Sequence, residues 1–338
     1  MKEALLYKKL AGKKVRCGVC SQQCLIQPGQ RGLCGVQENR AGKLISLVYG
    51  KAITANVDPI EKKPFFHFMP GSTSLSLATV GCNFSCQNCQ NWDISQGPKL
   101  SQSEIKGENL PPEKIIQAAL DNNCPSISYT YTEPTIFLEY ALETMKIAEK
   151  KKLRNCWVTN GYMTEETCKM ISPYLDAANV DLKSFEDDFY QKTCGGRLQP
   201  VLDTLRLMKK FHIWLEVTTL IIPTLNDDED TFRKIARFIH SELGPETPWH
   251  LTQFSPEISW KLQRLSPTPV ETIEKACQIG LKTGLKYVYS GNVPGLASED
   301  TYCPHCQEVM IDRTGYQVVR FDDQGKCSLC GQSLDLIL

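Results

Sequence analysis

The feature that most restricts the fold is a regular alternation of short β-rich runs and helical patterns that starts near residue 72. The runs cover residues 75–80, 126–132, 156–159, 179–182, 213–222, 249–254 and 286–289. Helical patterns lie between them, for example at 136–152, from Asp227 onward and at 269–283. Strands that alternate with helices form parallel sheets, because each helix carries the chain back to the start of the next strand. The pattern therefore predicts an α/β fold, either a partial (β/α) barrel or an open doubly wound sheet.

The number of cysteines, 16, is the second unusual feature. The first residues lack the apolar run of a secretory signal, so we expect a cytoplasmic, reducing location in which disulfides are rare. Eleven cysteines fall into three local groups, as thiolates around metal centres do. The groups are Cys17, Cys20, Cys24 and Cys34; Cys82, Cys86 and Cys89; and Cys303, Cys306, Cys327 and Cys330. We interpret the others as small apolar core residues, namely Cys124, Cys156, Cys168, Cys194 and Cys277.

These groups divide the chain into three predicted parts. Residues 1–70 form a cysteine-rich N-terminal segment, which ends in an irregular, proline-containing bridge at 58–71. Residues 71–292 carry the strand and helix alternation. Residues 293–338 contain two Cys-x-x-Cys knuckles and a predicted hairpin that turns near Gly315.

Length and charge exclude some classes of function. The 338 residues suffice for one barrel-sized domain with material to spare. The 38 basic and 38 acidic residues balance, so no net positive field attracts nucleic acid or an anionic membrane. The apolar stretches are short and interrupted, unlike membrane spans. We expect neither a membrane nor a nucleic acid as partner.

The central cysteines have the spacing Cys82-x3-Cys86-x2-Cys89, directly after the first predicted strand. Three thiolates bind three corners of a 4Fe–4S cubane and leave the fourth iron without a protein ligand. An open position is where a cofactor or substrate coordinates, whereas a structural site closes it. The alternative is a zinc knuckle whose fourth ligand comes from elsewhere in the chain.

This motif and its placement resemble the radical S-adenosylmethionine (SAM) superfamily, in particular pyruvate formate-lyase activating enzyme and the radical SAM enzymes of the AmmeMemoRadiSam system. Further matching motifs are DPIEKKP at 58–64, CQNW at 89–92, YTEP at 131–134, TNG at 159–161, DLK at 181–183 and GNVP at 291–294. The resemblance covers nearly the whole chain. It implies a partial (β/α)6-type radical SAM barrel with small cysteine-rich metal-binding segments at both ends. It also implies a 4Fe–4S cluster, SAM, and an electron donor such as flavodoxin or ferredoxin.

The resemblance also implies roles for single residues at the strand ends. Glu133 matches the carboxylate that binds the amino group of SAM, Asp181 lies near SAM, and Lys183 faces its carboxylate. The residue before the third cysteine is usually aromatic but is Asn88 here, so adenine packing falls to Trp92 or Phe84. Asp181 with Lys183 could instead be a cross-face pair, and residues 159–161 only a turn. The full set of implied SAM contacts is Asn91, Glu133, Thr159, Asn160, Asp181 and Lys183.

The outer cysteine groups indicate two further metal sites. The two C-terminal knuckles have the spacing of a zinc ribbon or of a rubredoxin-like iron site, and of the two metals we favour zinc. Either metal would order a segment too small to fold alone. The N-terminal group is compatible with structural zinc or with a second iron–sulfur cluster, and of the two we favour zinc. His250 and Asn292 are weaker candidates at late strand ends that face the same mouth, and a buried, satisfied position is an equal alternative for His250. The bridge residues Glu61, Lys62, Lys63 and His67 could line the substrate entrance, but we interpret them as part of a solvated loop.

The sequence thus predicts an enzyme that cleaves SAM to a 5′-deoxyadenosyl radical and abstracts hydrogen from an unidentified substrate, a protein or a small molecule. The resemblance allows activation of a glycyl-radical enzyme. The alternative is a non-catalytic iron–sulfur or zinc protein for electron transfer or scaffolding. Polar groups at successive strand ends favour the enzyme.

Overall fold

The computed structural model describes residues 1–101, 105–293 and 295–338. At its centre lies an eight-stranded sheet. Strands β2–β8 are parallel, and the edge strand β1 runs antiparallel to β2. All seven predicted strands are confirmed. The bounds are β1 Thr54–Pro59, β2 Thr73–Ala78, β3 Ser126–Tyr129, β4 Arg154–Thr159, β5 Ala177–Asp181, β6 Trp214–Ile221, β7 Trp249–Gln253 and β8 Val288–Gly291.

The strand order decides between the two architectures that the sequence left open. Every strand of the sheet pairs with its neighbours in sequence, from β1 at one edge to β8 at the other. A doubly wound sheet reverses its order at a switch point, whereas strands added always to the same edge curl into a barrel. β1 and β8 stand at opposite edges, so the barrel is open. The predicted partial (β/α)6-type barrel is confirmed.

Helices fill each crossover between parallel strands. Side-chain caps mark two of their starts: Thr164 accepts a hydrogen bond from Thr167 N before α4, and Asp228 accepts one from Thr231 N before α6. Among the described helices, none is both long and apolar enough to cross a bilayer. The bounds are α1 Trp92–Ser101, α2 Pro112–Asp121, α3 Leu138–Lys150, α4 Glu165–Ile171, α5 Gln199–Lys210, α6 Glu229–Phe238 and α7 Val270–Thr283.

Small antiparallel sheets form both ends of the chain. In the N-terminal segment, one contains Tyr7–Lys9, Val15–Cys17 and Leu25–Ile26, and another contains Lys2–Glu3, Lys43–Ser46 and Gln37–Arg40. A short pair joins Lys51–Ala52 to Glu108–Asn109. The C-terminal sheet contains Thr301–Tyr302, Val309–Thr314 and Gln317–Arg320, and the last two form the predicted hairpin. Of the GNVP motif, Pro294 lies outside the described residues.

The bridge between the N-terminal segment and the barrel is buried, not the solvated loop that we expected. It begins as the end of strand β1, where Pro59 is tolerated because an edge strand has one unpaired side. It then closes the amino-terminal end of the barrel, which explains its burial. Glu216 of β6 accepts hydrogen bonds at Oε1 from the backbone N–H groups of His67 (2.9 Å) and Phe68 (3.2 Å), and at Oε2 from that of Phe66 (2.9 Å).

His250 completes this closure at the start of β7. Its Nε2 lies 2.7 Å from Oε2 of Glu216, and both side chains are buried. Burial alone would raise the pKa of Glu216, but the bonds from His250 and the backbone lower it to about 2. His250 is therefore a satisfied core histidine at the amino-terminal end, or floor, of the barrel. Of the two alternatives for His250, the buried position is confirmed and the position at the mouth was wrong.

The C-terminal sheet packs against the same amino-terminal end of the barrel. The buried guanidinium of Arg313 donates from Nη2 to Phe66 O (2.8 Å) and from Nη1 to Thr301 Oγ1 (2.7 Å), and it lies 4.2 Å from the ring centroid of Phe66. Met69 N donates to Ile337 O at 2.6 Å. The ribbon thus seals the end of the barrel opposite to the carboxyl ends of the strands.

We expect Glu216→Ala to lower the free energy of unfolding by about 3–5 kcal/mol, because it leaves buried His250 and several backbone N–H groups without their acceptor. Denaturant unfolding measures the change. The matched control is Glu242→Ala, which removes an exposed carboxylate paired with Arg206 and should cost at most about 1 kcal/mol. Equal effects of the two substitutions would contradict the proposed role of Glu216 at the floor.

Candidate functional site

The cysteine loop follows β2 at the carboxyl end of the barrel. Backbone bonds hold it against the segment Tyr190–Cys194: Ser85 N donates to Cys194 O at 2.8 Å and Gln87 N donates to Thr193 O at 2.9 Å. A Cβ on Gly196 would lie 2.3 Å from the ring of Phe84, so only glycine permits this packing. These contacts hold the backbone of the loop against the neighbouring segment.

The three central cysteines are each partly exposed on this loop. Phe84 N donates to Cys82 Sγ at 3.4 Å, and Cys89 Sγ lies 3.3 Å from Ser95 Oγ. Two buried side-chain atoms of the loop, Asn83 Nδ2 and Asn88 Oδ1, have no hydrogen-bond partner among the described residues. Unpaired buried polar atoms beside grouped thiols fit a loop that encloses a further group.

Cys194, which we interpreted as an ordinary core residue, lies against the thiol of Cys86. It is fully buried, and it raises the pKa of Cys86 through a hydrogen bond together with burial. Its distance from the motif in sequence gave no signal of this contact. The motif cysteines are partly open to solvent whereas Cys194 is not, so Cys194 packs behind the loop.

Glu133, just beyond β3, links the cysteine loop to the next two strands. Its Oε1 accepts from Thr135 N (3.0 Å) and Thr159 Oγ1 (2.7 Å), and its Oε2 accepts from Asn160 N (2.8 Å). Asn160 Nδ2 donates to Asn83 Oδ1 at 2.7 Å, which completes the link. These donors are all neutral, and burial raises the pKa of Glu133 although the hydrogen bonds oppose this. A cation at Oε2 would compensate the buried charge.

Asp181 and Lys183 form an ion pair at the end of β5, with Lys183 Nζ 2.6 Å from Asp181 Oδ2. Burial alone would lower the pKa of Lys183, but Asp181, Cys86 and Cys194 raise it well above its ordinary value. The ammonium group thus lies beside the central thiols. The pair that the sequence offered as one alternative is therefore formed, and a contact with SAM stays a prediction.

Asn91 and the YTEP motif are also joined. Asn91 Nδ2 donates to Tyr131 O at 2.8 Å, and the hydroxyl of Tyr131 donates to Asp58. Asp58 also pairs with buried Lys63, Nζ to Oδ2 at 2.7 Å. The DPIEKKP motif therefore meets the YTEP motif, a contact that sequence spacing did not reveal.

The two aromatic candidates differ in accessibility. Phe84 is buried between Tyr162 and Tyr190, with ring centroids 4.8 and 6.3 Å away, so it has no free face. Trp92 is 40% exposed and stacks on Trp260 with a centroid distance of 6.4 Å. Trp92 therefore remains the better candidate for packing against a planar ligand.

Sequence reasoning missed Lys99 on α1. Its Nζ donates to Phe84 O and, at 2.8 Å, to Gln96 Oε1. Burial lowers the pKa of Lys99, and the thiols of Cys82 and Cys34 oppose this. Lys99 therefore lies near both the central and the N-terminal cysteines. Its position on the helix that follows the motif was the one available signal.

The C-terminal cysteines form a compact site. Their four sulfur atoms all lie within 4.8 Å of one another, with Cys303 Sγ and Cys330 Sγ 3.6 Å apart and Cys306 Sγ and Cys327 Sγ also 3.6 Å apart. Four thiols at this spacing match the tetrahedron around one metal ion. The site is far along the chain from the cysteine loop and belongs to the ribbon at the floor.

Comparisons with known proteins agree with this geometry. Residues 76–239 match the family described as the radical SAM superfamily. The chain is 46% identical over 341 residues to the uncharacterized protein MJ0808 of Methanocaldococcus jannaschii, and the match covers 100% of both chains. It is 23% identical over 165 residues to the pyruvate formate-lyase-activating enzyme of Clostridium pasteurianum, covering 47% of this chain and 66% of that enzyme. Streptococcus suis SuiB bound to precursor peptide SuiA resembles the fold with a TM-score of 0.51 at 12% identity, covering 70% of this chain and 52% of SuiB.

Proposed function

Because the chain belongs to the radical SAM superfamily, we propose that its cysteine loop holds a 4Fe–4S cluster and that the neighbouring strand ends bind SAM. Cys82, Cys86 and Cys89 ligate three irons and leave the fourth for the amino and carboxylate groups of SAM. When bound, the cluster supplies the electron that cleaves SAM to methionine and a 5′-deoxyadenosyl radical, which abstracts hydrogen from a substrate. The observation that carries the proposal is that three groups lie together at the carboxyl edge of the sheet. They are the three partly exposed thiols of the loop, the buried carboxylate of Glu133 and the ion pair of Asp181 with Lys183.

The strand-end residues divide the recognition of SAM between them. Glu133 binds the ammonium group, since its buried carboxylate is held only by neutral donors. Thr159 and Asn160 act mainly by orienting Glu133. Asn91 positions the backbone at Tyr131, which follows β3.

Lys183 and Asp181 recognise the negatively charged carboxylate group of SAM. Lys183 presents an ammonium group beside Cys86, where the carboxylate of SAM would approach the cluster. Asp181 holds that ammonium in place through the 2.6 Å contact. The two residues thus set the orientation of SAM while Trp92 offers an exposed ring face for adenine.

The proposed substrate is a partner protein. The similarity to a pyruvate formate-lyase-activating enzyme supports activation of a partner protein. The proposed electron donor to the cluster is a flavodoxin or a ferredoxin. A non-catalytic electron carrier is less well supported, because it needs no buried carboxylate and ion pair beside the cluster.

Isotope tracking tests the proposed reaction. Cells are grown in deuterated medium, and their extract is separated by ultrafiltration into macromolecules and small molecules. Each fraction is then incubated with reconstituted protein, SAM and dithionite. We expect deuterium in 5′-deoxyadenosine with the macromolecular fraction, as measured by mass spectrometry. Deuterium transfer from the small-molecule fraction instead would overturn the activase-like assignment, and its absence from both would overturn hydrogen abstraction.

We expect Asp181→Asn and Lys183→Ala each to raise the Kd for SAM about tenfold, since a hydrogen bond to a charged group contributes about 1.5–3 kcal/mol. The melting temperature should change little. In Lys183→Ala, Asp181 is 35% exposed, so water can replace its partner, and in Asp181→Asn the amide oxygen can still accept a hydrogen bond from Lys183. Calorimetric titration of SAM measures the effect. Lys192→Ala, which breaks an exposed pair with Asp188, is the matched control. Normal SAM binding by both variants would show that these residues do not contact SAM.

A further inference from the structure

The edge strand β1 leaves one side of the barrel sheet unpaired. It pairs with β2, and no second strand is hydrogen-bonded to it in the part of the chain that the structure describes. Three consecutive residues of β1, Ala55, Asn56 and Val57, are exposed. Because successive side chains of a strand point to opposite faces, both faces of β1 are open along this stretch. Its free edge is therefore accessible to another molecule.

The pairing of β2 shows which backbone groups of β1 point outward. Leu77 O accepts a hydrogen bond from the residue after β3, whereas Ala78 O accepts one from the residue before β1. Even-numbered residues of β2 therefore face β1, because the direction of the backbone groups alternates along a strand. The register aligns even-numbered residues of β1 with even-numbered residues of β2. The N–H and C=O groups of Ala55 and Val57 thus point away from the sheet.

The open stretch of β1 lacks the features that protect most exposed edges. Natural edge strands avoid association by means of lysine, proline, a bulge or a covering segment. Residues 54–57, with the sequence TANV, contain no charge and no proline, and their register with β2 is regular. Pro59 lies beyond this stretch, at the end of the strand. An unprotected edge of this kind favours the addition of a strand from another molecule.

A groove at the start of β1 extends this edge towards the cysteine loop. Its volume is about 690 Å³, and residues 51–55 and 105–110 line it. Since β1 runs antiparallel to β2, its first residue, Thr54, lies opposite Ala78, four residues before Cys82. A segment bound along β1 and the groove therefore reaches the mouth of the barrel, where the proposed radical forms.

Positive charge lies at both ends of the uncharged stretch. Two lysines and one glutamate line the groove, which gives that end a net charge of plus one. At the other end, Lys62 and Lys63 share the carboxylate of Asp58, which again leaves a net charge of plus one. The side chain of Lys62 is 42% exposed. These charges complement a segment that carries acidic residues on both sides of an uncharged centre.

We propose that the free edge of β1 binds an extended segment of the partner protein by strand addition, an inference that rests on the proposed function. The N–H and C=O groups of Ala55 and Val57 pair with the backbone of the segment, and its acidic flanks meet the two lysine-bearing ends. Main-chain hydrogen bonds supply the affinity in this mode of binding. The bound segment holds the partner with its reactive residue at the mouth of the barrel.

Hydrogen exchange of the full chain tests the pairing without SAM. The probe is a synthetic peptide with alternating valine and threonine in its centre and glutamates at both ends. We expect the saturating peptide to slow exchange at the amides of Ala55 and Val57 by about tenfold or more, as measured by mass spectrometry with fragmentation to single residues. The same peptide with lysine in place of glutamate should bind about tenfold more weakly.

Three results of this experiment would overturn the proposal. They are an absence of protection at the two amides, equal binding of the two peptides, and protection that rises with protein concentration when no peptide is present. The last result would assign the edge to a second copy of this chain instead of a partner protein.

Substitution of Val57 tests the role of the edge in the reaction. Val57→Pro removes an outward N–H group but no bond to β2, so we expect deuterium transfer from the macromolecular fraction into 5′-deoxyadenosine to fall by about tenfold or more. Val57→Thr keeps the N–H group and the β-branched shape, so this matched control should stay within about twofold of wild type. Slow exchange at residues 73–78 in Val57→Pro verifies that β2 remains paired.

Equal transfer by the two variants would overturn the docking role of β1. Failure of the proposed function gives a different result, since the wild-type protein would then transfer no deuterium from either fraction. The peptide experiment still tests the edge in that case, because it requires neither SAM nor hydrogen abstraction.

Discussion

Replacing Cys82, Cys86 and Cys89 together with alanine is expected to abolish the formation of 5′-deoxyadenosine from SAM. The three partly exposed thiols are the proposed ligands of the catalytic cluster, so their loss removes the source of the electron. The rate should fall by at least about 10⁶-fold, that is, below detection by chromatography after reduction with dithionite. The fold should persist, because the loop is held through Phe84 and the backbone contacts of Ser85 and Gln87.

The matched control for this experiment replaces three other cysteines, Cys124, Cys168 and Cys277, with alanine. All three are buried, so the control loses as many sulfur atoms at greater cost to packing. It should retain SAM cleavage. Activity in the loop variant, or its loss in both variants, would remove the evidence that the loop cysteines carry the chemistry.

Cys303→Ser is expected to unfold the C-terminal ribbon while the central cluster stays intact. The compact thiol tetrahedron predicts one zinc ion, and zinc binding in so short a segment contributes about 10–16 kcal/mol to its folding in zinc-finger peptides. Hydrogen exchange should rise throughout 295–338. It should also rise at 66–69, because Arg313 and Ile337 bond to that part of the floor.

Ser328→Ala, between the cysteines of the second knuckle, is the control, since it removes a hydroxyl but no thiol. It should keep both zinc and slow exchange. Absence of zinc from the wild-type protein, or slow ribbon exchange in Cys303→Ser, would contradict the structural site. The experiment is independent of SAM chemistry because the ribbon lies at the other end of the barrel.

Some parts of the site could be predicted from the sequence because they depend on local spacing. The three central cysteines lie within one loop, and Glu133, Asp181 and Lys183 lie at or just beyond strand ends. Parallel strands bring their carboxyl ends to one edge, so their convergence there follows from the alternation. The hydrogen bonds of Thr159 and Asn160 could not be predicted from the sequence, since their partner Glu133 follows a different strand.

The burial of charged residues is the property that local sequence pattern predicted least well. The segment 58–67 is rich in charge and is typical of a solvated loop, yet Lys63 is buried because its partner Asp58 is buried with it. A sequence shows the charge but not the compensating group. The same holds for Cys194, whose contact with Cys86 joins residues far apart in the chain.

The sequence by itself determined the α/β class, all seven parallel strands, the C-terminal hairpin and the grouping of the cysteines, because periodicity and ligand spacing are local properties. Only the tertiary structure decided that strands join in sequence order as an open barrel, which depends on which edges pair. It also decided that the four ribbon sulfurs lie within 4.8 Å of one another. Those distances depend on how separate segments pack, and similar Cys-x-x-Cys spacings leave them undetermined.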